Sequence, residues 1–154
     1  MTLLSLLLNL VLPPVFAGHS EARTCVNNKV IDSYQEKWRL RTANSFDIKE
    51  GDTRYFLVTL ASTIEYKFVA CADDHVQDMA IVVYNDSGRL VDQSDVVSRE
   101  VDIFFEPPKS SQYFVGVRAI RFVDSREEVE EDKKKRRRKT ENPTAGVGLA
   151  VLYR

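Results

Sequence analysis

The 154-residue sequence has little of the chemistry on which most enzymes depend, since it contains only two histidines and two cysteines. His19 lies near the N-terminus, which leaves His75 as the histidine of a folded domain. A catalytic triad needs a histidine within hydrogen-bond reach of a nucleophilic serine, and no serine here stands in a recognisable nucleophile elbow. We therefore expect no catalytic residues, and we interpret His75 as a surface loop residue.

An excess of charge of one sign is also lacking. Lysine and arginine total 22 against 23 aspartates and glutamates, so the formal net charge is −1. A nearly neutral domain has no long-range preference for nucleic acid or for an anionic membrane. Any such preference has to come from a local cluster of charges.

Long hydrophobic runs are absent except at the N-terminus, where residues 3–16 carry no charge. This run is shorter than the roughly 20 residues of a membrane-spanning helix, and Pro13 and Pro14 would break such a helix near its end. The run ends in Val15, Phe16 and Ala17, which suit a signal peptidase. The sequence predicts a signal peptide over residues 1–17, cleaved before residue 18, no transmembrane anchor, and export to the periplasm or the medium.

The two cysteines, Cys25 and Cys71, are far apart in the sequence. A redox or metal-ligand pair would need close spacing or histidines at ligand spacing, and both are missing. An even number of cysteines in an exported chain favours a disulfide. We predict a structural Cys25–Cys71 bridge that ties the N-terminal segment to the middle of the fold.

The exported part has the length of one domain, with a helical segment over residues 18–45. Val26, Val30, Tyr34 and Trp38 recur every four positions, with Ile31 beside them, which predicts an amphipathic helix over residues 26–41. Asn27 is its expected N-cap. Trp38 is interpreted as a core anchor rather than as an exposed ring that stacks on sugar.

Beyond Ser45 the hydrophobic period changes to two, which is typical of strands. Short strands separated by turn signals predict an all-β domain over residues 46–154, an antiparallel jelly-roll-like β-sandwich with a charged loop over residues 125–142. The predicted strands cover residues 55–60, 64–71, 79–84, 89–92, 101–105, 113–119 and 147–153.

Three segments of this region resemble the bacterial pre-peptidase C-terminal domains: Asp78-Met79-Ala80-Ile81-Val82-Val83-Tyr84-Asn85-Asp86-Ser87-Gly88, Val101-Asp102-Ile103-Phe104-Phe105-Glu106-Pro107 and Gln112-Tyr113-Phe114-Val115-Gly116-Val117. The resemblance implies a jelly-roll-like sandwich that serves as a noncatalytic accessory or binding domain. This chain departs from the family pattern at Ala80, where a second acidic residue is usual, and at Ser111, where a glycine is usual.

Asp73, Asp74 and Asp78 cluster around a presumed loop. Closely spaced carboxylates can hold Ca²⁺, which accepts six to eight oxygen ligands in flexible geometry. The alternative is a solvated polar loop that caps the sandwich. Calcium is the one metal that the sequence suggests, and it suggests no other cofactor.

A second charged cluster is the block of seven consecutive bases that follows the acidic residues 127–132. Such a block can bind an anionic polymer, such as lipopolysaccharide, teichoic acid or nucleic acid, with an affinity that falls as salt rises. The alternative is a solvated segment in which acids and bases four residues apart neutralise one another. The basic residues are Lys133, Lys134, Lys135, Arg136, Arg137, Arg138 and Lys139.

Phe104, Phe114 and Phe122 fall out of phase with their inward-facing neighbours. They either form an exposed ligand face or pack against the helix or the second sheet, and the sequence leaves both open. The sequence as a whole predicts an exported, noncatalytic binding or accessory module whose partner is an extracytoplasmic protein or polysaccharide. The alternative is a structural envelope protein that assembles with another chain.

Overall fold

The computed structural model describes residues 17–123 and 143–154, with side chains from residue 21 onward. Most of the predicted signal peptide and the charged segment therefore lie outside the described residues. One helix precedes eight strands: α1 (Ala17–Gln35), β1 (Arg39–Lys49), β2 (Thr53–Leu60), β3 (Tyr66–Ala72), β4 (Val76–Tyr84), β5 (Leu90–Gln93), β6 (Glu100–Phe105), β7 (Ser111–Phe122) and β8 (Thr144–Tyr153).

The strands form two four-stranded antiparallel sheets, in the orders β1-β8-β3-β6 and β2-β7-β4-β5. This pair of orders is that of an eight-stranded jelly roll, so the predicted fold class is confirmed. The residues that alternate inward from both sheets make one core, as a half-buried antiparallel sheet requires. At its centre Phe68, Ile81, Val115, Val117 and Leu149 are fully buried.

Strands β3 and β8 in the middle of the first sheet are buried on both faces, because α1 packs across the outer side of β1, β3 and β8. Val26 and Val30 of the helix meet Val69, Ala150 and Leu152 of the sheet in a second small core. Gly148 makes the close approach possible, since a Cβ at that position would lie 2.8 Å from Val26 Cγ2. Burial on both faces explains why β3 and β8 read as nearly continuous apolar runs rather than as strict alternation.

The predicted helix over residues 26–41 is wrong at both ends. Since α1 begins at Ala17, Asn27 is an exposed residue inside the helix and not its N-cap. The helix ends at Gln35, and Lys37 takes a left-handed backbone with φ of 68°. Residues 39–45, assigned above to the helical segment, belong to β1. Most of them are exposed, so they lack the buried alternation by which a strand is recognised.

Two members of the predicted apolar stripe also face solvent, since Ile31 is 57% exposed and Tyr34 51% exposed. The buried face of the helix passes instead through Ala22, Val26 and Val30. The four-residue spacing in the sequence was correct for two valines, and it was extended wrongly to Tyr34.

Two predictions about this side of the sandwich are confirmed. A disulfide joins Cys25 of α1 to Cys71 of β3, with 6.0 Å between the Cα atoms. Trp38 is a core residue, with only 1% of its surface exposed. Its ring lies 5.7 Å from the ring of Phe104 and 4.4 Å from the guanidinium carbon of Arg154.

Candidate functional site

The outer face of the second sheet is covered by no described element, in contrast to the first sheet. Four apolar residues lie side by side across it, one from each strand: Leu57 of β2, Phe114 of β7, Tyr84 of β4 and Leu90 of β5. Neighbouring strands are about 4.8 Å apart, so the row crosses the full width of the sheet. Leu57, Phe114 and Leu90 are 55%, 37% and 43% exposed.

Tyr55 extends this surface in the adjacent row, where it stands opposite Gly116. A Cβ at Gly116 would lie 2.9 Å from the Tyr55 ring, so only glycine lets the ring lie across β7. The rings of Tyr55 and Tyr84 meet edge to face at 5.9 Å between centroids. We call the set of Tyr55, Leu57, Tyr84, Leu90 and Phe114 the aromatic face.

The aromatic face contains an open cavity of about 400 Å³, lined by Tyr55, Tyr84, Gly88 and Phe114. Gly88, with φ of 78°, belongs to the turn between β4 and β5. Asn85 fixes this turn, because its Oδ1 accepts hydrogen bonds from the backbone N–H groups of Ser87 and Arg89 at 3.1 and 2.9 Å. The cavity is therefore preformed on a rigid sheet and a braced turn.

Charged groups lie beside the aromatic face. Arg118 donates from Nε to Thr53 Oγ1 at 3.3 Å and from a terminal nitrogen to the Tyr84 hydroxyl at 3.5 Å, and no carboxylate of the described residues pairs with it. Asp86 accepts from the Ser111 hydroxyl at 2.8 Å and from Lys109 at 3.3 Å. Those two hydrogen bonds hold the pKa of Asp86 below its usual value.

The three out-of-phase phenylalanines have different surroundings. Phe114 belongs to the aromatic face, but Phe104 lies on the first sheet, 55% exposed, with the Lys67 ammonium 5.4 Å from its ring centre. Phe122 is buried in the core. The register between β4 and β7 shifts at Asp78, and Phe122 turns inward beyond that irregularity. The three rings therefore do not form one ligand face.

Sequence reasoning did not find four members of the aromatic face: Tyr55, Leu57, Tyr84 and Leu90. Each of them has an apolar residue next to it in the sequence, so a single strand does not reveal which side is exposed. Only the register across four strands brings them into one patch.

The acidic loop is arranged differently from the prediction. Asp73, Asp74 and His75 bring ligand atoms within 4.8 Å of one another, whereas Asp78 binds the guanidinium of Arg121 at 2.6 Å. Calcium binding stays a prediction, and Asp78 is committed to a different partner. The side chain of His75 is 64% exposed, as a surface loop residue should be.

Asp73 is itself buried, with 3% of its surface exposed. Its Oδ2 accepts a hydrogen bond from the backbone N–H of Gly146 at 2.6 Å, and its Oδ1 accepts one from the backbone N–H of His75 at 3.0 Å. The carboxylate therefore joins the turn after β3 to the start of β8. We call this arrangement the Asp73 clamp.

The basic block, residues 133–139, lies outside the described residues, so its binding of an anionic polymer stays a prediction. The described residues on either side of this segment are both hydrogen-bonded to the turn of the Asp73 clamp. Val123 donates its backbone N–H to the carbonyl of His75 at 2.9 Å, and Gly146 is held by Asp73 on the other side.

No protein-family model matches the sequence, and no curated protein matches it. A similar solved structure is the pre-peptidase C-terminal domain of a collagenase from Bacillus anthracis, with 15% identity and a TM-score of 0.48 over 73% of this chain and 89% of that domain. Another is a periplasmic inhibitor of g-type lysozyme from Aeromonas hydrophila, with 11% identity and a TM-score of 0.46 over 73% of this chain and 85% of that protein.

The first of these structures belongs to the family that the strand motifs resemble. At such low identity, no residue of this chain takes its role from either protein. Within the described residues, no helix is long and apolar enough to cross a membrane.

Proposed function

We propose that this protein is an exported, noncatalytic binding module that holds an extracytoplasmic protein on its aromatic face. The observation that carries the proposal is the unbroken apolar row Leu57, Phe114, Tyr84 and Leu90 on a sheet that nothing in the described chain covers. Contiguous exposed apolar patches on a rigid surface are a mark of interaction sites. The disulfide supports export, because such bonds persist in oxidising compartments.

A protein partner suits this face better than a polysaccharide does. A sugar needs several hydrogen-bonding groups beside the rings on which it stacks. The row offers the Tyr84 hydroxyl alone, and that hydroxyl already accepts a hydrogen bond from Arg118. Tyrosine, phenylalanine and arginine are enriched at protein interfaces, and Tyr55, Phe114 and Arg118 provide all three here. Arg118, which has no carboxylate partner in the described part of the chain, favours an acidic group on that partner.

The noncatalytic part of the proposal rests on the titratable groups. The described residues include no free cysteine. His75 Nδ1 lies 3.3 Å from carboxylate oxygens of Asp73 and Asp74, and none of the described residues brings a nucleophilic hydroxyl within hydrogen-bond distance of its ring.

The proposal is tested by chemical crosslinking of residues 18–154 to periplasmic and medium fractions, followed by binding measurements with the purified recovered protein. We expect the double variant Tyr55→Ala, Phe114→Ala to bind that protein at least about thirtyfold more weakly, since even one hot-spot aromatic contributes about 2 kcal/mol. The matched control is Ile31→Ala, Tyr34→Ala, which removes similarly exposed apolar side chains from α1.

Equal loss in both double variants, or no loss in either, would show that the aromatic face is not the site. If the protein is retained on a polysaccharide column and only the Tyr55→Ala, Phe114→Ala variant is not, the aromatic face is the binding site but its ligand is a polysaccharide.

A further inference from the structure

Strand β6 is an edge strand of the first sheet. On its outer side the Glu100 N–H donates to the Ser98 hydroxyl at 3.4 Å, and the backbone groups beyond it have no partner among the described residues. Arg99 accepts a hydrogen bond from Ala72 N–H at 3.0 Å, so Arg99 faces β3. Backbone groups alternate sides along an antiparallel strand, so Val101 and Ile103 also face β3, whereas Asp102 and Phe104 face away from it. No other described residue supplies a hydrogen-bond partner to their N–H and C=O groups.

This free edge borders a cavity of about 510 Å³ on the side of the sandwich where β5 and β6 lie. The loop after β5 forms the opposite wall and is fixed to the second sheet: Ser94 N–H donates to Ile81 O at 2.9 Å, and Ser98 exchanges backbone bonds with Met79. The cavity is therefore preformed. We call it the edge groove; it is lined by Asp92, Gln93, Asp95, Val96, Glu100, Val101, Asp102, Ile103 and Phe104.

All four charged residues of the edge groove are acids. Lys29 approaches Glu100 at 3.3 Å and Lys67 approaches Asp102 at 3.9 Å, both from the helix side of the first sheet. Asp92 and Asp95 have no cationic partner among the described residues. The groove thus combines unpaired backbone donors and acceptors with an uncompensated negative charge.

We propose that the edge groove binds an extended segment of a partner polypeptide, rich in lysine or arginine, which adds to β6 as a fifth strand of the first sheet. The main chain of the segment bonds to Asp102 and Phe104, as in other cases of β-strand addition. Its basic side chains reach Asp92 and Asp95 across the groove, and an apolar residue beside them packs on Phe104 as a cross-strand neighbour. This site is separate from the aromatic face and does not depend on it.

The test uses residues 18–154 with the disulfide intact and a short peptide of alternating lysine and threonine, a residue that favours strands. Two control peptides separate charge from strand pairing. One carries glutamate in place of lysine, and the other carries proline at alternate threonines, which keeps the charge but removes backbone donors. Binding is followed by NMR and by hydrogen exchange of the Asp102 and Phe104 amides.

We expect the lysine peptide to bind and to slow exchange at Asp102 and Phe104, and both control peptides to bind much more weakly. The double variant Asp92→Asn, Asp95→Asn should weaken binding by about fivefold, which corresponds to two solvent-exposed ion pairs. The matched variant Asp32→Asn, Asp52→Asn removes the same charge elsewhere and should leave affinity unchanged. In every protein measured, residues 126–141 are replaced by a glycine linker, so that the chain's own basic block cannot compete with the peptide for the edge groove.

The proposal is overturned if the proline peptide binds as tightly as the lysine–threonine peptide, because attraction would then be electrostatic without strand pairing. It is also overturned if the lysine peptide leaves both amides unprotected or fails to bind. In that case the acidic residues of the edge groove would serve only to prevent β6 of one molecule from pairing with a strand of another.

Discussion

Replacing both Cys25 and Cys71 by alanine is expected to lower the free energy of unfolding by about 4 kcal/mol. The bridge closes a loop with a sequence separation of 46, and releasing a loop of that length raises the entropy of the unfolded chain by about this amount. Alanine is chosen because Cys71 is fully buried against the helix, and a serine hydroxyl would add a desolvation cost of its own.

The loss is measured by urea unfolding. Trp38 is the single tryptophan of the chain and lies in the same small core as Cys71, so its fluorescence reports whether α1 stays on the sheet. Unfolding of the wild-type protein with its disulfide reduced is the control and should give a similar loss without any change of side chain. A loss below about 1 kcal/mol would contradict the prediction and would mean that the unfolded chain gains little freedom when the bridge is removed.

The sequence was informative where a hydrophobic pattern has one structural meaning. Alternation in β6 and β7 predicted strands with one buried face. The presence of two cysteines and no more predicted the Cys25–Cys71 disulfide. The pattern was ambiguous for α1, because Tyr34 fits the helical period equally well whether that side faces protein or solvent. Its start at Ala17 was missed because the first residues of the helix resemble the end of a signal peptide.

The candidate site was less predictable than the fold. Tyr55, Leu57 and Tyr84 have the composition of core strands, and their exposure follows from the topology of the whole sandwich. The helix covers one sheet and leaves the other open, and that asymmetry depends on contacts between residues far apart in the sequence. The acidic loop illustrates the same limit: the sequence groups Asp78 with Asp73 and Asp74, but a partner 43 residues away, Arg121, binds it instead.

The covered first sheet and the open second sheet give the two proposed surfaces different chemistry. The aromatic face offers exposed side chains on the outer surface of a sheet, so we expect it to recognise shape and apolar area. The edge groove offers backbone groups and carboxylates, so it recognises an extended cationic chain. Strand β5 contributes Leu90 to the aromatic face and Asp92 to the edge groove, but Tyr55 and Phe114 lie on β2 and β7. Substitutions of those two residues should therefore leave binding at the edge groove unchanged.

Asp73→Ala is expected to lower the free energy of unfolding by about 3 kcal/mol, because it leaves the N–H groups of Gly146 and His75 without their acceptor. Gly146 is buried, so water does not replace the lost partner freely. Asp74→Ala is the matched control: its side chain is 70% exposed, and we expect a change within about 0.5 kcal/mol.

Both variants are compared with the wild type by urea unfolding in the presence of EDTA and again with added Ca²⁺. The Asp73 clamp requires the large loss in EDTA, where no metal contributes, and similar losses for Asp73→Ala and Asp74→Ala would contradict it. The calcium prediction requires that Ca²⁺ stabilise the wild type and stabilise both variants less, since a ligand that binds only the folded state stabilises it more the tighter it binds. A large loss for Asp73→Ala in EDTA together with no response to Ca²⁺ would assign this carboxylate to holding β8 in place and to nothing else.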